Sequence, residues 1–156
     1  MHKWQILTSI FVLLLVCDEV TAGDKEDVLA TMEALMAAWT AGEIDASQKH
    51  YLAEVNSFGG NGGLLQSIAD VGADRRRVIK ENFAAGYRLE VQRVHSDVRV
   101  YGDTAILTAY HMRQITPPGG TPVSATLRAT LVMVKQKGQW KAVHGHISNL
   151  TPKNLE

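Results

Sequence analysis

The sequence predicts an α+β domain in which helices come first and an antiparallel sheet follows. Three observations predict it. Apolar residues recur at spacings of three and four as far as Gly42, whereas from Tyr87 the period falls to two. Turn residues at Gly102-Asp103, at Pro117-Pro118-Gly119-Gly120-Thr121-Pro122 and at Lys137-Gly138 then cut the second half into hairpins. No internal repeat or linker-like stretch divides the 156 residues, so a single core is expected.

The first 22 residues stand apart. Met1-His2-Lys3 is a short basic start, Trp4 to Cys17 is mostly apolar, and Val20-Thr21-Ala22 puts small or medium residues before Gly23. This is the three-part layout of a secretory signal, and the apolar run is shorter than the roughly 20 residues of a membrane span. The expectation is a signal peptide at 1–22 and a domain at 23–156 that is secreted or periplasmic, with no membrane contact after cleavage. Cys17 is the single cysteine, and Val16 before it is not the small residue of a lipoprotein signal, which argues against a lipid anchor. Once the signal is cut, the domain has no disulfide, no thiol nucleophile and no thiolate metal ligand.

In the domain, Asp24 reads as a helix cap. Val28, Leu29, Met32, Leu35, Met36 and Trp39 then form one apolar stripe that stops at Gly42. A short second helix is expected over Asp45–Leu52, a loop at Gly59-Gly60-Asn61-Gly62-Gly63, and a third helix from about Ala73 to Ala85, stopped by Gly86. Leu64, Leu65 and Ile68 read as buried. Arg75-Arg76-Arg77 reads as a solvated face beside acidic neighbours. Strands are expected at 87–94, 98–101, 104–114, 123–136 and 140–148. The long strand is apolar on both faces, with Leu127, Leu131 and Met133 on one and Val132 and Val134 on the other. One face then meets the helices, and the other meets a partner subunit or a curled part of the same sheet.

Lys and Arg total 16, as do Asp and Glu, so the formal net charge is zero. With no basic patch or charge run, nucleic acid is not an expected partner.

The last strand, Trp140 to Ser148, holds the most telling pattern. Alternation places Trp140, Ala142, His144, His146 and Ser148 on one face, with two imidazoles side by side. That is either a pocket wall or the polar end of a core. A histidine in a cleft is a candidate general acid or base near neutral pH.

The run Arg128-Ala129-Thr130 through an apolar strand to Gly138-Gln139-Trp140 and Val143-His144-Gly145-His146-Ile147-Ser148 resembles the closing hairpin of SnoaL-like domains. These belong to the NTF2-like group, with ketosteroid isomerases, scytalone dehydratase and the association domain of calmodulin-dependent kinase II. The strand pair from Val98 through Gly102-Asp103-Thr104-Ala105 to Tyr110 and Arg113 fits as well, as does the helix end Ala38-Trp39 to Gly42-Glu43-Ile44-Asp45. The resemblance spans residues 25–150. It implies a cone, in which a curved antiparallel sheet wraps a long N-terminal helix with two shorter helices. It also implies a small-molecule pocket at the open end and a homodimer through the convex side.

On that frame His144 and His146 are the candidate catalytic or ligand-contacting pair. Arg128 and Arg113 are candidate partners of an anionic ligand, because an arginine in an apolar strand is costly unless paired. For Arg128 the competing reading is a salt bridge to Glu33 or Glu81. A strict two-residue turn at Lys137-Gly138 sets Leu131 opposite His144 and leaves Arg128 on the other face, whereas a bulge restores it to the histidine face. Tyr110, Tyr51, Trp39 and Tyr87 are candidates to line the cone or to pack its core. A metal would need His111 or Asp103 to join the histidine pair, so neither metal nor cofactor is called for. Ketosteroid isomerases pair a tyrosine with a protonated carboxylic acid and use a carboxylate base, and the long and last strands here have no acid. Asp45 and Glu43 at the helix exit read as solvated. The sequence thus favours an exported small-molecule-binding domain. A cofactor-independent lyase, isomerase or cyclase and an oligomerisation module are the alternatives.

Overall fold

The structure, a computed structural model, describes residues 22–58 and 66–150, with side chains at 23–58 and 76–150. Residues 1–21 of the proposed signal at 1–22, the glycine-rich loop, and the side chains of Leu64, Leu65, Ile68 and Arg75 lie outside the described residues.

Helix α1 (Ala22–Thr40) is followed by α2 (Ile44–Ser47), a 3-10 turn (Gln48–His50) and strand β1 (Tyr51–Phe58). Then come β2 (Gln66–Ser67), α3 (Ile68–Ala84), β3 (Arg88–Tyr101), β4 (Thr104–Thr116), β5 (Val123–Gln136) and β6 (Gln139–Asn149). The six strands form one sheet in the order β2-β1-β6-β5-β4-β3. All neighbours are antiparallel except β1 and β6, which run parallel. The sheet is therefore mixed, and the wholly antiparallel expectation is corrected at that one pair.

Helix α1 buries the predicted stripe. Val28, Met32 and Leu35 are buried, and Leu29, Met36 and Trp39 pack beside them. Asp24 is not a cap; it lies inside the first turn and accepts a 2.6 Å hydrogen bond from Lys135 Nζ on β5. This contact ties the helix start to the closing hairpin, and it raises the Lys135 pKa. The helix stops at Gly42, whose φ of 75° is open to glycine at little cost. A Cβ there would also come within 2.9 Å of the Phe83 ring on α3. The third helix begins earlier than expected, at Ile68, and ends near Gly86 as read. In it, Arg77 pairs with Glu81 at 2.8 Å on the surface, and Arg76 reaches Gln48 at 3.4 Å.

The β5–β6 turn has positive φ at both Lys137 (51°) and Gly138 (76°). That is the type I′ geometry, whose twist matches that of the flanking strands. Two bulges then set which way side chains face. Arg93 pairs with His111 and His95 with Tyr110, so Val94 is an extra residue in β3. Met133 pairs with Ala142 and Val132 with His144, so Val143 is an extra residue in β6.

The inner face of the sheet, against α1, carries Val98 and Val100 of β3, Ala105, Leu107 and Ala109 of β4, and Leu127, Ala129, Leu131 and Met133 of β5. Trp140 and Ala142 of β6 complete it, and all of these are buried. Residues directly opposite in an antiparallel pair share a face. Before the Val143 bulge, β6 therefore turns Trp140 and Ala142 inward. Beyond it, Gly145, Ile147 and Asn149 take the inner face, opposite Leu131, Ala129 and Leu127.

Candidate functional site

The bulge corrects the reading of the last strand. His144, His146 and Ser148 lie opposite Val132, Thr130 and Arg128, on the outer face. They do not share a face with Trp140 and Ala142. Arg128 does share one with the histidines, as the bulged alternative required, but it is exposed there and neither Glu33 nor Glu81 pairs with it. Tyr110 lies opposite Arg128 and is 43% exposed, so it lies on the outer surface of the sheet and does not line the cone. Tyr87 is exposed as well, whereas Trp39 and Tyr51 pack against the inner core.

The outer histidines form a defined cluster. The β1–β6 register sets Asn56 beside His144 and Phe58 beside His146. His144 Nδ1 lies 2.5 Å from Asn56 Oδ1, so Nδ1 donates to the amide oxygen. The Phe58 ring stands edge-on to both imidazoles, with centroids 5.9 Å from each.

The inner face grades from closed to open. At one end Ala105, Met133 and Ala142 are fully covered. At the other, Arg113 and Ile115 of β4 are half-buried, Ile147 of β6 is 37% exposed and Asn149 is exposed. This is the less covered end of the inner face. Its floor is His111, which is only 3% exposed, and the opposing residue on β3 is Arg93. Arg93 donates through Nη2 to Glu33 of α1 and through Nη1 to Ser96 at 2.6 Å. Its Nε and the Nε2 of His111 are buried without a hydrogen-bond partner. Arg113, one step towards the rim, is diagonal to Arg93 across the β3–β4 pair and has no ion-pair partner among the described residues.

The sequence reading named His111 only as a third metal ligand and Glu33 only as a partner for Arg128, whereas Glu33 pairs with Arg93, which was not named. The available signal was period two: His111 continues the run of Ala105, Leu107 and Ala109, so it faces the same way. Among the described residues no group of three or more His, Cys, Asp or Glu is placed to hold a metal ion. The carboxylate candidates Asp45 and Glu43 are exposed. Asp45 pairs with Lys80 at 2.5 Å, which holds its carboxyl below the usual range.

Burial pushes the His111 imidazole below its ordinary value of 6.5, and the nearby Arg93 charge pushes the same way. The folded protein therefore resists protonation here, while the unfolded chain accepts the proton near 6.5. Stability falls as pH drops below about 6.5, by up to about 1.4 kcal/mol per pH unit until the lowered folded value is reached. His50, also lowered by burial, contributes in the same direction. His111→Phe removes one such group. Urea unfolding of the variant is expected to show a shallower loss of stability between about pH 7.5 and 5.5 than the parent. Parallel pH dependences would refute a neutral, buried His111.

Comparison with known proteins agrees with this architecture. The family model described as a SnoaL-like domain matches residues 28–152. No curated protein matches the chain. Among solved structures, the CaMKII hub of S. rosetta is 27% identical, with 84% of this chain and 100% of that one covered at a TM-score of 0.66. The association domain of C. elegans CaMKII is 18% identical, covering 81% and 95%, at a TM-score of 0.64. An NTF2-like protein with a cystatin-like fold from Novosphingobium aromaticivorans is 16% identical, covering 85% of each chain, at a TM-score of 0.69. With the α1-filled curved sheet, the Val-His-x-His-x-Ser strand and a fold like that of an NTF2-like protein, a family match over most of its length shows that this chain belongs to the SnoaL-like domain family.

Proposed function

We propose that this is an exported small-molecule-binding domain whose ligand enters the open end of the cone. The observation that carries the reading is the gradient along the inner face. A covered apolar end gives way, past His111, to a half-open rim with a few polar groups, the usual make-up of a small-ligand site. The binding role moves from His144 and His146 to the inner-face residues His111, Arg93 and Arg113. The alternative of proton transfer beside a carbonyl moves with it, because His111 is the imidazole that burial keeps neutral.

The outer face supports self-association. Ile106, Tyr110 and Met112 of β4 and Phe58 of β1 are exposed on it, with Val132 beside Ile106. An apolar sheet face of this kind favours a second copy of the same chain through a two-fold contact. The similarity to CaMKII hub and association domains supports the same reading.

Ligand binding is tested by amide NMR of the protein titrated with small aromatic acids, amides and ketones. The expected result is perturbation of Arg113, Ile147 and Asn149 at the open end. Shifts confined to the outer face, or none with any compound, would overturn the pocket.

A further inference from the structure

Resting on the pocket reading, we propose that the site selects a small carboxylic acid with an apolar body, its carboxylate received by Arg113 and Arg93 over His111. Charge is the first argument. Among the described residues the rim holds two guanidinium groups and one facing carboxylate, Glu33, which leaves one positive charge uncompensated by them. Arg113 carries that charge on a half-buried side chain without an ionic partner among the described residues. A guanidinium in such a place gains most from a planar anion that it grips with two N–H groups.

Hydrogen-bond bookkeeping is the second argument. Arg93 Nε is a buried donor with no acceptor, and His111 Nε2 is a buried atom with no partner, directly across the strand pair. Buried polar atoms are seldom left so, and each orphan calls for a partner. An oxygen acceptor brought within reach of either supplies the missing partner, the neutral imidazole donating in its Nε2–H form. A cationic ligand would meet two arginines and is disfavoured.

Glu33 is the third argument. It already places a carboxylate on Arg93 from an exposed position on α1. The site thus accepts this group, and Glu33 is a built-in competitor for it. The apolar body is set by Leu127 below and Ile147 at the rim.

The test compares benzoate with benzamide, of the same shape without the charge, by calorimetry on the full chain at low salt. Benzoate is expected to bind at least about 10-fold more tightly, as befits a charge-assisted contact. Arg113→Gln is expected to abolish that preference. Glu33→Gln, which removes the competitor on the exposed helix surface, is expected to strengthen benzoate binding severalfold and benzamide binding less. Equal binding of the two probes, or a Glu33→Gln variant that weakens benzoate, would overturn the carboxylate assignment and leave the pocket standing. If benzoate, benzamide and the neutral ketones all fail to bind the folded protein, the pocket reading itself falls.

Discussion

Leu107→Ala is expected to cost about 3–5 kcal/mol of folding stability, read as a shift of the urea midpoint without a change in slope. Leu107 is wholly buried on the inner face of β4, between Val98 of β3 and Leu131 of β5. Both neighbours belong to elements fixed by their own backbone ladders, so the space left by three heavy atoms collapses only in part. Near-complete burial places the cost in the upper part of the Leu→Ala range. A loss below about 1 kcal/mol would mean that the inner face is not the core.

Ile106→Asp, one residue earlier on the same strand, is expected to do the opposite. Ile106 is 37% exposed on the outer face, opposite Val132 and beside Arg99. An aspartate there meets water and a guanidinium, so the fold tolerates it. In the proposed dimer it would set a desolvated carboxylate against an apolar partner and its own two-fold copy. The dissociation constant is expected to rise by about 30-fold or more, the effect of losing a 2 kcal/mol contact. Sedimentation analysis of parent and variant reads this directly. A parent that sediments as a monomer removes the dimer, and an unaffected dimer moves the interface elsewhere.

The alternation that separates these two substitutions was legible in the sequence, as were α1, its glycine stop, and three of the four long strands; β3 was read as two pieces, 87–94 and 98–101, where the structure has one bulged strand. The legible parts are those with an unbroken period. Strand β1 was missed because Tyr51-Leu52-Ala53-Glu54-Val55-Asn56-Ser57-Phe58 does not alternate, and its ladder with β6 is irregular between Tyr51 and Asn56. The two bulges matter more for the site. One extra residue at Val143 inverts every later side chain of β6, which carries His144 and His146 from the expected pocket to the outer surface. Gly145 in mid-strand was the one local hint of irregularity. His111 was readable as inward-facing, but its missing partner and the Arg93–Glu33 pair are products of the folded sheet and not of any local pattern.

The strand order also has a consequence for how the chain reaches this state. The last strand made, β6, is an interior one, seated between β5 and the much earlier β1, with which it runs parallel. Until β6 arrives, β1 has no neighbour but the two-residue β2. The β3–β4–β5 meander can zip locally, whereas the β1–β6 union must close a loop of most of the domain, a step whose entropy cost slows folding. Assembly is therefore held open until β6 has been made. In that interval β1 is an unpaired edge, and it is the segment to which a holding chaperone or a neighbouring nascent chain would first attach.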